Sequence, residues 1–242
     1  MTHHEVVFGE RLIVALDLDD ISRARALVNQ LKSYVGLFKV GHQLFTRYGP
    51  AATQMIHDEG GRIFLDLKYH DIPNTVKLAV EAAVALKVTM LNFHALGGKE
   101  MMAAAVSAAH DAAAKHHVSP PILLAVTILT SLADPDLVAA GIAPPVAEEV
   151  ARLAYMANEA GVNGVVASPQ EIPIIRSTLP ADFLIVTPGV RLSNSLNDDQ
   201  KRVLTPGEAL RTGADYIVVG RPIVGAPDPV HATQELIRAM AL

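Results

Sequence analysis

Two hydrophobic rhythms alternate along the chain. Short runs that are apolar at nearly every position, rich in Val, Ile and Leu, are separated by stretches in which apolar residues return every three or four positions. The first rhythm suits strands covered on both faces, and the second suits helices with one buried stripe. In order, strands are expected in RLIVALDLDD (ending at Asp17), GLFKVGH, RIFLDLK, TMLNFHALGG, PPILLAVTILTSL, VNGVVASPQE, DFLIVTPGVR and ADYIVVGRPIVG. Helical spacing lies between them. ISRARALVNQLKSYV sets Ile21, Ala24, Leu27, Val28 and Leu31 on one face, and GPAATQMIHDEGG, TVKLAVEAAVALKV and KEMMAAAVSAAHDAAAKHH follow the same rule. So do a segment starting near Pro144, IPIIRSTL and the terminal PVHATQELIRAMAL. The Met and Ala run at Met101–Val106 is expected to be core-facing helix.

Strands that alternate with helices must pair in parallel, because each return crossover is the helix itself. Eight such units in 242 residues predict an α/β fold, a (β/α)8 barrel, which typically takes ~250 residues. An open doubly wound sheet is the alternative, weakened by the lack of a Gly-x-Gly-x-x-Gly turn after the first strand. No linker or low-complexity break interrupts the pattern, so residues 1–242 are expected to form a single domain.

Composition narrows the function classes. Half of the residues are hydrophobic and 19% are charged, which predicts a sizeable core. The formal net charge of −5 argues against nucleic acid or an acidic membrane as partner. The absence of cysteine excludes disulfides, thiolate zinc sites and cysteine nucleophiles. The histidines show no metal-ligand spacing: His3 and His4 fall in a terminus expected to be mobile, His116 and His117 at a helix end, and His94 at a strand end. No apolar run reaches the ~18 residues of a spanning helix, and MTHHEVVFGER lacks the apolar core of a signal peptide. A cytoplasmic protein is expected.

The candidate chemistry gathers in RIFLDLKYHDIPNT, Arg62 to Thr75. Asp66 and Lys68, two apart on a strand, share a face, and Asp71 follows at the strand end before Pro73 opens a helix. An exposed salt-bridge cluster is the plain alternative, but a core strand has no other use for these charges. In a parallel barrel the chemistry collects at the carboxyl ends of the strands. Those ends offer Asp17, Lys39, Asp66 with Lys68, Thr130 with Ser131, Pro188-Gly189-Val190-Arg191, and Gly220-Arg221. Taken singly, either arginine suits a solvated surface; paired at the turns after strands seven and eight, they point to a bound phosphate. Between them the polar loop RLSNSLNDDQKRVLTP is either loose surface or a lid that closes on a ligand; residues 191–205 are expected to form such a phosphate-gripping lid, with Gln200 as its phosphate or base contact.

FLDLKYHDIPNT closely resembles the signature of the orotidine 5′-phosphate decarboxylase family. VALD, FKVG, HALGG, VTILTS, TPGVR and VVGRPI match in order, so the resemblance spans essentially the whole chain and is closest to the short single-function bacterial form. It implies decarboxylation of orotidine 5′-monophosphate to UMP and CO2 without a cofactor or metal. It implies that Lys68 protonates C6 of the pyrimidine and that Lys39, Asp66, Lys68 and Asp71 form an alternating charge network. It further implies a homodimer in which Asp71, Ile72 and Thr75 serve the neighbouring site. Asp17 and Lys39 would meet the ribose hydroxyls, and Thr130 or Ser131 the base. Pro188, Arg191, Gln200, Gly220 and Arg221 would line the substrate, chiefly its phosphate. Three rivals remain open: a Mg²⁺-dependent sugar-phosphate decarboxylase or synthase of the same barrel group, a Schiff-base aldolase with Lys68 as nucleophile, and a non-catalytic nucleotide-phosphate binder.

Overall fold

Eight parallel strands close on one another in chain order. They are β1 (Leu12–Ala15), β2 (Leu37–Gly41), β3 (Ile63–Tyr69), β4 (Met90–His94), β5 (Ile122–Val126), β6 (Gly164–Val166), β7 (Leu184–Pro188) and β8 (Tyr216–Val219). The computed structural model describes residues 3–143, 145–190 and 204–241. The expected (β/α)8 barrel is therefore present, with each strand where an apolar run foretold it. Every residue of β1 and β2 is buried, which is why those runs show no alternation.

Contacts gather into two compact units, one comprising the chain up to Leu67 together with Thr187 onward, the other Lys68–Val186. In the first, β8, β1, β2 and β3 lie side by side. The register sets Ile13 beside both Leu37 and Val218, Ala15 beside Lys39, and Gly41 beside Asp66. Phe38, Phe64, Ile13 and Leu65 are essentially fully buried. In the second, β4, β5, β6 and β7 pair in the same manner, with His94 beside Val126 and Val126 beside Val166. There the helices Pro73–Ala85 and Gly98–His116 pack together. The first buries Val76, Val80, Ala83 and Val84, and the second Met101, Met102, Ala105 and Ala109. Small alanines let two helix backbones approach closely, and the Met and Ala run turns Met101, Met102 and Ala105 to the core, as expected of a core-facing helix.

The strands are shorter than the apolar runs that mark them. β1 stops at Ala15, so Asp17 stands past its end. β5 stops at Val126, so Thr130 and Ser131 are not on a strand but in the exposed turn beyond it. That turn leads into a helix, Asp134–Ala139, whose Asp136 carboxylate accepts the Ala133 N–H at 2.9 Å. Loops at this end of the barrel are themselves apolar, so hydropathy does not mark where pairing stops. Other helices were not foreseen, Pro206–Thr212 between β7 and β8 and Arg221–Val224 after β8 among them. His42–Tyr48 follows β2 directly. The terminus holding His3 and His4, expected to be mobile, belongs to a helix, His3–Gly9, that packs on the last one, Pro229–Met240. Among the described residues no helix is long and apolar enough to cross a membrane.

Candidate active site

In the first unit, three charges meet at the carboxyl ends of β1, β2 and β3. Lys39 Nζ lies 3.2 Å from Asp17 Oδ1 and 3.2 Å from Asp66 Oδ2. The side chains of Lys39 and Asp66 are each 11% exposed, whereas that of Asp17 is 52% exposed. A buried carboxylate is tolerated when a cation sits against it, and Lys39 supplies that cation to Asp66 while reaching toward the open Asp17. The arrangement depends on missing side chains. A Cβ on Gly41 would stand 2.8 Å from Lys39 Nζ and 3.3 Å from Asp17 Oδ1, so any other residue there displaces the ion pair. Gly220, at the end of β8, brings its backbone beside the same carboxylate: a Cβ there would lie 3.7 Å from Asp17 Oδ2. Arg221 follows it, exposed, at the start of the short helix Arg221–Val224.

Pro188 closes β7, and Gly189 turns the chain with φ 79°, a left-handed value that glycine adopts freely. Arg191, Gln200 and residues 191–203 of the expected lid lie outside the described residues.

In the second unit, the same strand β3 carries Lys68, half-buried, two residues beyond Asp66. Its backbone is left-handed, φ 47°, a conformation that costs a non-glycine residue roughly 1–2 kcal/mol. The Lys68 N–H donates to the side-chain carbonyl of Asn92 at 2.8 Å, and Asn92 is wholly buried on β4. Past Lys68, Tyr69 is buried enough to push its hydroxyl above the ordinary value. His70 stacks on His94, ring centroids 5.3 Å apart. Asp71 then accepts the Ile72 N–H through Oδ1 at 2.7 Å, and Pro73 begins the following helix. Asp71, Ile72 and Thr75 are all exposed, Ile72 at 67%. Thr130 and Ser131 are exposed as well. The threonine nearer the end of β5 is Thr127, fully buried, whose hydroxyl donates to the Val166 carbonyl at 3.2 Å.

Sequence reasoning overlooked Asn92, His70 and Glu171. The signal for Asn92 was available: one amide in the apolar run TMLNFH, two residues from His94 and so on its face. Glu171 has a clearer physical signature. It closes the helical turn Pro169–Glu171 after β6, with Oε2 accepting the Ser168 N–H at 2.8 Å. Burial pushes its carboxyl from 4.5 up to about 7, against the opposing pull of the Ser168 hydrogen bond. A carboxyl held neutral by the fold contributes stability that is complete below about pH 4.5 and is lost as pH rises through about 7. Glu171→Gln keeps an acceptor for Ser168 without the titration. Its Tm is expected to exceed wild type by roughly 2–4 °C at about pH 8 and by nothing at about pH 4. A thermal scan across pH with parallel curves for the two proteins would contradict this.

Among the described residues no His, Asp or Glu cluster is arranged to hold a metal ion. Parallel strands in closed order, with a buried ammonium between two carboxylates at their carboxyl ends, define a (β/α)8 barrel of enzymatic type. The sequence says which one: residues 10–236 match the family described as orotidine 5′-phosphate decarboxylase / HUMPS, and the chain belongs to that family. It is 52% identical over 228 residues to an orotidine 5′-phosphate decarboxylase of Moorella thermoacetica, covering 94% of this chain and 90% of the relative. It is 51% identical over 232 residues to one from Syntrophotalea carbinolica, covering 96% and 95%. The crystal structure of orotidine 5′-phosphate decarboxylase from Lactobacillus acidophilus superposes with a TM-score of 0.81 at 36% identity, over 96% of this chain and 99% of that one. The resemblance read from FLDLKYHDIPNT is thereby borne out.

Proposed function

We propose that this chain decarboxylates orotidine 5′-monophosphate to UMP and CO2, with Lys68 as the group that protonates C6. One observation carries the reading. The ion chain Asp17–Lys39–Asp66 runs through two 3.2 Å contacts into the strand that presents Lys68, in a chain about half identical to relatives bearing that name.

The chemistry explains why charge is needed. The bond from C6 to the carboxylate breaks and leaves its electron pair in an sp² orbital that the ring cannot delocalise. The required rate enhancement lies near the upper end of what enzymes supply, toward ~23 kcal/mol of barrier. A fixed ammonium at C6 stabilises that pair as it develops and then delivers a proton to it, forming UMP; solvent returns a proton to the lysine. Lys68 is the candidate ammonium. Asp66, beside the departing carboxylate, would hold Lys68 in place, and Lys39 would balance the buried charge of Asp66. No cofactor takes part in this scheme.

The remaining roles belong to the same proposal. Asp17 and Lys39 meet the ribose, and Thr130 or Ser131 the base. Pro188, Gly220 and Arg221, with Arg191 and Gln200, receive the phosphate while the 191–205 segment closes as a lid. Asp71, Ile72 and Thr75 reach the neighbouring site of a homodimer; their exposure suits a surface that a second copy covers. A Mg²⁺-dependent relative of this barrel would need its carboxylates free for the metal. Lys39 Nζ stands between Asp17 and Asp66, and its charge repels a divalent cation.

The test is direct. Purified protein mixed with orotidine 5′-monophosphate and EDTA is expected to yield equimolar UMP and CO2; no turnover, or turnover abolished by EDTA, overturns the reading. For the phosphate role, Arg221→Ala is expected to raise KM for orotidine 5′-monophosphate on the order of 100-fold, in keeping with loss of charge-assisted hydrogen bonds. Its effect on phosphate-free orotidine should be within about twofold. Equal losses on both substrates would remove Arg221 from the phosphate.

A further inference from the structure

We infer that Asn92 is a positioning residue for Lys68, acting on the backbone of the lysine rather than on its ammonium; the inference rests on the proposed role of Lys68. The argument begins with the strand. At φ 47° the chain leaves the extended path at Lys68, so the direction of its side chain is not set by a regular strand and has to be fixed by what holds the residue's own amide. A buried or half-buried N–H must find an acceptor. Here the acceptor is a side chain: Asn92 Oδ1 receives the Lys68 N–H at 2.8 Å.

Asn92 is well chosen for this. It is 0% exposed, on a strand whose other members Met90, Leu91 and Phe93 are apolar and equally buried. An amide in that setting costs free energy unless its polar atoms are engaged, so its presence calls for a partner of its own. A backbone N–H held by a rigid, buried acceptor fixes the Cα position and the direction in which the side chain leaves it. For a lysine with four rotatable bonds, that starting direction decides whether the ammonium reaches the reacting carbon. The neighbouring pair repeats the device two residues on, where His94 on β4 stacks against His70. β4 thus props the strand-end segment at both 68 and 70.

The test separates position from fold. Asn92→Ala removes the acceptor, and Asn92→Leu does so while filling the volume. Asn92→Asp keeps an oxygen acceptor in the same place. With orotidine 5′-monophosphate as substrate, the Ala and Leu variants are expected to lose on the order of 100-fold in kcat, the scale of an ångström-sized misplacement. Their KM, and their Kd for UMP, should stay within about twofold of wild type. Asn92→Asp is expected to recover most of kcat. In the wild type the Lys68 amide should exchange with deuterium far more slowly than the amide of the exposed Asn74. Unchanged kcat in the Ala and Leu variants overturns the inference, as does an Asp variant no better than Ala. If neither apolar variant folds, fast exchange of the wild-type Lys68 amide, or an Asp variant without activity, has the same force. A wild-type protein with no decarboxylase activity would instead refute the proposed function, and slow Lys68 exchange would still stand.

Discussion

Lys68→Ala is expected to lower kcat for orotidine 5′-monophosphate by at least about 10⁴-fold while Kd for UMP changes less than about tenfold. The size follows from losing two effects at one atom. General-acid transfer contributes on the order of 10²–10⁴-fold, and a preorganised charge at a developing anion about 10²–10³-fold. Binding of product should survive, because the phosphate and ribose contacts proposed for Asp17, Gly220 and Arg221 do not involve Lys68. The folded state should not suffer either, since alanine at φ 47° is no more strained than lysine. Single-turnover kinetics beside calorimetric titration with UMP gives both quantities. A variant that retained wild-type kcat would take the proton-donor role from Lys68, and one that lost UMP affinity in proportion to kcat would recast it as a binding residue.

Lys39→Met is expected to reduce both stability and catalysis. Removing the cation takes from the Asp66 carboxylate, 11% exposed, a charged partner that lies 3.2 Å away. Breaking a buried pair from one side costs about 3–5 kcal/mol; Asp17, half in water, can rehydrate and adds little. A loss of about 3 kcal/mol is therefore expected, seen as a lower urea midpoint with unchanged slope. kcat/KM for orotidine 5′-monophosphate should fall on the order of 10²–10³-fold, because a displaced Asp66 could not play the part proposed for it. An unchanged midpoint at neutral pH would show that Lys39 is not what keeps Asp66 in place.

The parts of this molecule that were legible in sequence are those written in local pattern. Eight apolar runs gave eight strands because a strand covered on both faces is apolar at most of its positions, with polar residues few enough not to blur the run. Asp66 and Lys68 stood out because two charges so close together are conspicuous in an apolar run; both lie on β3, but the left-handed backbone at Lys68 departs from the regular alternation on which a shared face was expected. Lys39 and Asp17 were found by asking what stands at the ends of strands, although the contact between them depends on Gly41 leaving room, which no local pattern reveals. What stayed hidden was set by tertiary partners. Nothing near Asn92 in the chain announces that its acceptor serves a residue 24 positions away. Hydropathy carried β5 too far, to Thr130 and beyond, because the turn after it holds Ile128, Leu129 and Leu132. The left-handed backbone at Lys68 has no sequence mark, since lysine is not a residue chosen for such a turn.

That last point bears on how the protein could be engineered. The chain at position 68 would be easier to fold with glycine or asparagine, which accept a left-handed backbone at lower cost. A campaign selecting only for heat resistance would be drawn toward exactly the substitutions that remove the ammonium. Such a library should therefore be screened on turnover from its first round, with position 68 held fixed and its prop on β4 left alone.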